Sequence, residues 1–229
     1  MAAQGSSDGA ASLLGYAAGF KEKFSLILAS GSPRRRELLG ILGLPFEVVT
    51  SGFPEDLDKS SFATPSDYVS ANAVAKCRAV AKQFPAVDSQ HRRVLVLGAD
   101  TVVTVDNKIL EKPADAEAAK VMLQSLSGRT HEVLTGVCIV EGGSQDSEGT
   151  VKSLFVERTE VTFSALSDTE IDAYIATGEP FDKAGGYGIQ SKGCLLVQSI
   201  TGDYFNVVGL PLAGLARCLA KEMCDAALA

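Results

Sequence analysis

The amino-acid sequence predicts a single α/β domain built on a long, twisted, mixed β-sheet with helices at its sides. Short apolar runs of strand length alternate with helical segments in the first half of the chain. In the second half, longer strands follow one another and pair locally. The chain has 229 residues, of which 46% are hydrophobic, so it is long enough to bury one sizeable core.

The first predicted unit is a strand followed by a helix. Residues 25–29 form an apolar run of buried-strand length, and residues 33–43 have apolar side chains on one helical face. Ser32 is a natural N-cap, Pro33 suits the first helical position, and a glycine suits the end. Residues 46–49 predict a second strand.

The middle of the chain continues the alternation. Residues 64–84 predict a helix, and residues 94–97 predict a continuous apolar strand. Residues 101–105 and 108–110 flank Asp106 and Asn107, a pair typical of a two-residue hairpin turn. Residues 114–126 predict a helix that ends at a glycine.

The last third predicts long strands at residues 131–140 and 154–163, and then a helix that begins with the capping box of Ser167 and Glu170. Two short strands are expected to form a hairpin around residues 201–203, and a helix is expected from about residue 212 to 224. Residues 1–23, rich in Ala, Gly and Ser, are expected to be a flexible tail, and residues 24–229 a single domain.

Composition limits the possible partners. The net charge of −7 and the pI near 4.9 argue against binding of nucleic acid polymers, whereas a small phosphorylated ligand needs only a local basic pocket. No apolar run approaches the roughly 20 residues that span a membrane. The odd, scattered set of cysteines predicts reduced thiols and a cytoplasmic protein. With two distant histidines, a metal is expected on carboxylates, which favours Mg²⁺ or Mn²⁺.

The segment Ser30-Gly31-Ser32-Pro33-Arg34-Arg35 is the strongest local signal for an anion site. Backbone N–H groups at a helix N-terminus point toward a ligand there, and arginine binds phosphate oxygens in a bidentate manner. The segment lacks the Walker A pattern. An ordinary capped helix with solvated arginines is the alternative interpretation.

Three further stretches carry polar chemistry. Asp100 follows an apolar strand, where a carboxylate can hold a cation or accept a proton from water, although a turn aspartate would look the same. Glu111 and Lys112 place an acid beside a base where a strand ends, which surface charge also explains. In residues 181–190, three closely spaced glycines predict a tight loop, from which Lys183 can reach a phosphate and Gln190 a base edge, although an ordinary glycine-rich turn would look the same.

The order of the motifs is more informative than any single one. The motifs, in one-letter code, are SGSPRR from Ser30, GADT from Gly98, EKP from Glu111, LSG from Leu126, GEP from Gly178, DKAG from Asp182, YGIQ from Tyr187 and VVGLP from Val207. In this order they resemble the Maf family over about residues 24–219. The resemblance implies a fold related to the inosine triphosphate pyrophosphatases, with two lobes around a cleft, often as a homodimer.

The resemblance also implies hydrolysis of a nucleoside triphosphate at the α-phosphate, with a divalent cation. Asp100 matches the catalytic acidic residue, which is usually assigned as the proton acceptor. Arg34, Thr101 and Gln190 match the positions that mark the branch acting on dTTP and UTP. The remaining matches are Ser32 and Arg35 in the phosphate loop, Lys76, Lys112 and Lys183 as cationic cleft residues, and Glu55, Asp100 and Glu111 as the candidate metal ligands.

The predicted activity is therefore that of a dTTP and UTP pyrophosphatase, in which Asp100 activates the attacking water. Two alternatives stay open from the sequence. One is a pyrophosphatase for a purine or modified-purine triphosphate, and the other is a nucleotide-binding regulator of cell division without turnover. The predicted partner is a small nucleoside triphosphate, without nucleic acid polymer or membrane.

Overall fold

Seven strands form one mixed sheet in the computed structural model, which describes residues 13–54, 56–143 and 147–228. The strands are β1 (Phe24–Leu28), β2 (Phe46–Val48), β3 (Arg93–Val105), β4 (Lys108–Leu110), β5 (Thr130–Glu141), β6 (Thr150–Phe163) and β7 (Val197–Thr201). The strand order is β2-β1-β3-β5-β6-β7, and β4 pairs with β3 beside this path. The predicted α/β class with a long mixed sheet is confirmed.

Helices lie along the sheet. They are α1 (Leu13–Lys23), α2 (Pro33–Ile41), α3 (Pro65–Ala81), α4 (Ala116–Leu126), α5 (Asp168–Ile175), α6 (Tyr204–Val208) and α7 (Leu212–Leu228). Short 3-10 helices span Lys59–Ser61, Glu179–Asp182, Ala184–Gly186 and Lys192–Leu196. Within the described ranges, no helix is long and apolar enough to cross a membrane.

The lengths of the strands create a cleft. Strand β1 is parallel to β2 and β3, and its last residue, Leu28, lies opposite Leu97. Strand β3 continues to Val105 and remains paired with the antiparallel strand β5. The residues of β3 directly after Leu97 therefore have no β1 residue beside them. The gap next to this part of β3 forms the floor of the cleft.

Two hydrophobic clusters form the lobes on either side of this gap. The first packs α2 and α7 against β1 and the first half of β3, with Leu39 and Leu97 fully buried. The second packs α4 and α5 against the far ends of β3, β5 and β6, with Leu123 and Phe163 fully buried. The predicted arrangement of two lobes around a cleft thus corresponds to two of the hydrophobic clusters on one sheet.

Helix α3 lies unusually close to the sheet because Gly98 faces it. A Cβ atom added at Gly98 would lie 2.8 Å from the Ala73 carbonyl oxygen and 2.8 Å from the Cys77 Sγ. A glycine here lets the helix backbone approach β3. This close approach brings the next polar residue of the helix, Lys76, over the middle of β3.

The predicted flexible tail is wrong for residues 13–23. These residues form α1, in which Leu13 and Phe20 are buried in the first core, and the Phe20 ring lies 5.1 Å from that of Phe24. The Lys23 Nζ donates a hydrogen bond of 2.9 Å to the Ala226 carbonyl at the end of α7. Packing against α7 explains the helix, and the rest of the predicted tail, residues 1–12, lies outside the described residues.

The predicted hairpin around residues 201–203 is also wrong. The apolar run that was expected to form its second strand is the short helix α6, because the Asp203 side chain caps it by accepting a hydrogen bond of 2.7 Å from the Phe205 amide. The other predicted hairpin, around Asp106 and Asn107, is confirmed, with φ values of 50° and 59° at the two turn residues.

Candidate active site

A cavity of about 730 Å³ opens where β1 ends beside β3. Its walls come from the loop between β1 and α2, from Lys76 on α3, from the middle of β3, from residues 182–191 and from the end of α6. Nine of the residues predicted from the sequence line it: Ser32, Arg34, Arg35, Lys76, Asp100, Thr101, Lys112, Lys183 and Gln190. The structure therefore brings one compact set together from distant parts of the chain.

The loop before α2 has the predicted geometry of a helix N-terminus. Ser32 is the N-cap, and its Oγ accepts a hydrogen bond of 3.4 Å from the Arg35 amide. The Ser30 Oγ accepts one of 3.2 Å from the Ser32 amide. Pro33 has no N–H, and the Ser32 and Arg35 amides are bound to serine hydroxyls, so this end of α2 offers the cavity a partial positive charge and amides that a phosphate binds only by displacing those hydroxyls.

Arg35 is held in place across the floor of the cavity. Its Nε donates to the Gly209 carbonyl at 2.9 Å, and its second guanidinium nitrogen donates to the Thr101 Oγ1 at 3.0 Å. The Thr101 hydroxyl also lies 2.9 Å from the hydroxyl of the fully buried Thr135 on β5. The guanidinium is thus oriented before any ligand binds, which reduces the entropy lost on anion binding.

Asp100 forms a buried ion pair with Lys76. The Lys76 Nζ lies 2.7 Å from the Asp100 Oδ1, and the side chains are 4% and 10% exposed. Asp100 lies inside β3 and not just past a strand, as the sequence suggested, because the apolar run at residues 94–97 is only the first part of a thirteen-residue strand. The carboxylate still faces the cavity, since β1 has ended by this point.

Asp182 connects the two lobes at the mouth of the cavity. Its carboxylate accepts hydrogen bonds from Arg34 at 2.9 Å and from Lys183 at 2.6 Å. Burial opposes the charged form, but Lys183 and Arg34 outweigh it and lower the pKa of Asp182 below its ordinary value. Arg34 and Lys183, which the sequence predicts to bind phosphate, are therefore both bound to the Asp182 carboxylate when no ligand is present.

Tyr187 forms part of the inner wall. Its hydroxyl lies 2.8 Å from the Nε2 of the buried His131, and both rings pack edge-on against Phe163. Burial lowers the pKa of His131 to about 4 and raises that of Tyr187 well above its ordinary value. Both side chains are therefore neutral near pH 7 and support the wall without adding charge.

Glu111, one of the predicted metal ligands, does not line this cavity. Glu111 is exposed and absent from the residues that line it; its carboxylate instead forms an ion pair with Lys59 in the 3-10 helix before α3. The sequence does not reveal this pairing, because Lys59 precedes Glu111 by 52 residues. Glu55 lies outside the described residues.

The carboxylates that line the cavity suit a divalent cation whose other ligands come from the substrate phosphates. Among the described residues, no three His, Cys, Asp or Glu side chains converge as an all-protein metal site would require. Asp100 and Asp182 are the carboxylates that the described part of the chain contributes to the cavity wall. Mg²⁺ is commonly bound by one or two carboxylates together with substrate phosphates, and these residues fit that pattern.

Sequence reasoning missed several residues that organise the site. Thr135 was overlooked because its position behind Thr101 depends on the register of β5 against β3. Glu179 was quoted in a motif but given no role, although its carboxylate accepts several hydrogen bonds from the loop of residues 188–193. The sequence signal for this role was the acidic residue within the Gly-Glu-Pro motif, because a carboxylate in a turn can accept several hydrogen bonds.

Comparison with known proteins identifies the family of this chain. The family described as "Maf-like protein" matches residues 25–222. A Bacillus cytotoxicus protein named dTTP/UTP pyrophosphatase is 54% identical over 195 residues, covering 85% of this chain and 94% of the relative. A Bacillus cereus protein of the same name is 53% identical over 196 residues, covering 86% of this chain and 94% of that relative.

A solved structure of the Staphylococcus aureus Ham1 protein overlaps 63% of this chain and 72% of its own, with 16% identity and a TM-score of 0.37. A similarity of this size establishes neither fold nor function. The family match, in contrast, spans most of the chain, and the two Bacillus relatives are matched over nearly their whole length. This chain belongs to the Maf-like protein family.

Proposed function

We propose that this protein is a nucleoside triphosphate pyrophosphatase that hydrolyses dTTP and UTP to the monophosphate and pyrophosphate. The observation that carries the proposal is the single cavity in which the N-terminus of α2, with Arg34 and Arg35, faces the Lys76–Asp100 pair. Relatives more than 50% identical are named dTTP/UTP pyrophosphatase, which supports both the reaction and the substrates.

In the proposed complex, the triphosphate lies along the N-terminus of α2. Backbone N–H groups and Arg35 bind phosphate oxygens, and Lys112 and Lys183 offset further negative charge. Because Lys183 contacts Asp182 in the absence of ligand, the phosphates take over this cation as they bind. Catalysis is then mainly positioning and charge stabilisation, as in other phosphoryl transfer reactions.

Asp100 is the proposed general base. The Lys76 ammonium binds Oδ1 and fixes the carboxylate, so that Oδ2 can accept a proton from water. The water oxygen forms a bond to the α-phosphorus, the bond from that phosphorus to the bridging oxygen breaks, and pyrophosphate leaves with the bonding electrons. The proton then passes from Asp100 to solvent.

A divalent cation, Mg²⁺ or Mn²⁺, is part of the proposal. Asp100 would hold it, with Glu55 and Glu111 as the further ligands predicted from the sequence. When bound, such a cation neutralises phosphate charge and lowers the pKa of a coordinated water. Glu111 is the weaker candidate, because it would first have to leave Lys59.

Recognition of the base is proposed to involve Arg34, Thr101 and Gln190, which line the cavity. The Gln190 amide offers both a donor and an acceptor, as a uracil or thymine edge requires. The further proposals are that the protein acts in the cytoplasm, that it is a homodimer, and that it binds free nucleotides and not nucleic acid polymers. The acidic net charge of −7 supports the last of these.

The test is a panel of dTTP, UTP, CTP, ITP and a methylated GTP, with Mg²⁺ or Mn²⁺ and with pyrophosphate detection. We expect the highest kcat/KM with dTTP and UTP, and a loss of roughly a hundredfold or more in turnover for Asp100→Asn. The matched control is Asp106→Asn, in the exposed turn that directly follows β3. This variant should keep the turnover of the wild-type protein. Preference for a purine triphosphate would overturn the substrate assignment, and binding without turnover would overturn the reaction.

A further inference from the structure

The carboxylate of Glu179 is the centre of a hydrogen-bonded loop beside the cavity. Its Oε1 accepts from the Ser191 hydroxyl at 2.5 Å, the Tyr174 hydroxyl at 3.2 Å and the Gly193 amide at 3.3 Å. Its Oε2 accepts from the Lys192 amide at 3.2 Å. One side chain thus binds three consecutive residues of the segment 188–193.

The same segment is held at its other end by Tyr174. The Tyr174 hydroxyl accepts a hydrogen bond of 3.2 Å from the Gly188 amide while it donates to Glu179. A Cβ atom added at Gly193 would lie 2.5 Å from the Gly188 carbonyl oxygen and 2.9 Å from the Tyr174 hydroxyl. The segment therefore closes tightly on itself, with Gln190 near its apex.

Gln190 is the member of this loop that we propose to contact the nucleotide. Residues 188–191 line the cavity, whereas Glu179 and Tyr174 are not among the lining residues. The Gln190 side chain is exposed, so packing does not fix it, and its position depends on the backbone on either side. That backbone is anchored by the buried Ile189 and by the hydrogen bonds to Glu179.

We propose that Glu179 is a positioning residue for nucleotide selectivity, and that it acts by holding the loop of residues 188–193 so that Gln190 meets the nucleoside end of the substrate. This inference rests on the proposed function for its substrate class. It assigns Glu179 no contact with the substrate. It assigns the Gly-Glu-Pro motif a role in recognition, separate from the phosphate chemistry at Asp100.

The test combines kinetics with a readout that needs no activity. Glu179→Gln keeps the shape but replaces one acceptor oxygen by a donor, and so opposes either the Lys192 amide or the Gly193 amide, which donate to different oxygens of Glu179. We expect KM for dTTP to rise about tenfold, with kcat changed less than about threefold, and selectivity for dTTP over CTP to fall. Hydrogen exchange should become faster at residues 188–193 and stay unchanged in α5.

A double-mutant cycle with Gln190→Ala identifies the route of the effect. If Glu179 acts through Gln190, the double variant has nearly the kcat/KM of Gln190→Ala alone. The control Glu170→Gln alters another carboxylate of the same region, one that caps α5 through Ser167 and does not touch the loop. We expect this control to leave KM and selectivity unchanged.

The outcomes separate this inference from the proposed function. If the wild-type protein does not hydrolyse the triphosphates, the proposed function fails, while hydrogen exchange still tests the anchoring of the loop. Additive effects in the cycle, or unchanged exchange at residues 188–193, would overturn the inference even in an active enzyme. Tyr174→Phe, which removes one hydroxyl only, should shift exchange and KM in the same direction and provides the test if Glu179→Gln folds poorly.

Discussion

Replacing Lys76 by Met should destabilise the protein strongly, because it leaves the Asp100 carboxylate buried without its partner. The two side chains are 4% and 10% exposed, and the Lys76 Nζ lies 2.7 Å from the Asp100 Oδ1. Met has similar length and volume but no charge, so the substitution isolates the electrostatic loss.

The magnitude follows from the distance and the burial. At 2.7 Å and an effective dielectric constant of about 20, the attraction between the two charges is about 6 kcal/mol. Desolvation of both ions offsets part of this in the native pair, and breaking a buried pair typically costs about 3–5 kcal/mol. We therefore expect Lys76→Met to lower the free energy of unfolding by about that amount near pH 8.

The assay is denaturant unfolding at pH 8. Lys76→Met combined with Asp100→Asn should recover most of the stability, since no buried charge remains.

The matched control is Lys59→Met, which breaks the exposed pair with Glu111. Side chains 40% and 62% exposed predict a cost below about 1 kcal/mol for this control. A similarly small cost for Lys76→Met would refute the description of Lys76 and Asp100 as a tightly coupled buried pair.

Three further outcomes follow from the packing. Phe20→Ala should lower the free energy of unfolding by about 3–5 kcal/mol, because Phe20 is 0% exposed, whereas an unaffected Tm would mean that α1 is not packed in solution. Gly98→Ala should cost about 1–3 kcal/mol by pushing α3 away from β3, measured by denaturant unfolding, and a neutral effect would contradict the close approach. Burial lowers the pKa of His131 from 6.5 to about 4. The neutral imidazole therefore contributes fully to the free energy of unfolding above pH 6.5, and about 3 kcal/mol of that free energy is lost as the pH falls toward 4. His131→Gln should show a shallower loss of stability over that range, and equal slopes for the two proteins would contradict the burial of a neutral imidazole.

Local signals were sufficient where a short segment determines its own structure. Ser32 and Pro33 begin α2 as expected because capping and a fixed proline φ act within one turn. Asp106 and Asn107 form a hairpin turn because both tolerate positive φ. The resemblance to the Maf family then located most of the residues that line the cavity.

Tertiary contacts explain the failures. Helix α1 has an Ala- and Gly-rich sequence typical of a tail, and burial of Phe20 against the first core stabilises it. The run Asn206-Val207-Val208 is too short to distinguish a strand from a helix, and the Asp203 cap decides in favour of α6. The pairing of Glu111 with Lys59 and the position of Thr135 behind Thr101 depend on how distant elements meet.

The most direct test of the central claim is the fate of ¹⁸O from labelled water during dTTP hydrolysis. If water activated by Asp100 attacks the α-phosphorus, the label appears in the nucleoside monophosphate, and the pyrophosphate is unlabelled. Label in pyrophosphate would place the attack at the β-phosphorus, and release of labelled orthophosphate would place it at the γ-phosphorus. Either result would contradict the proposed orientation of the triphosphate between the N-terminus of α2 and Asp100.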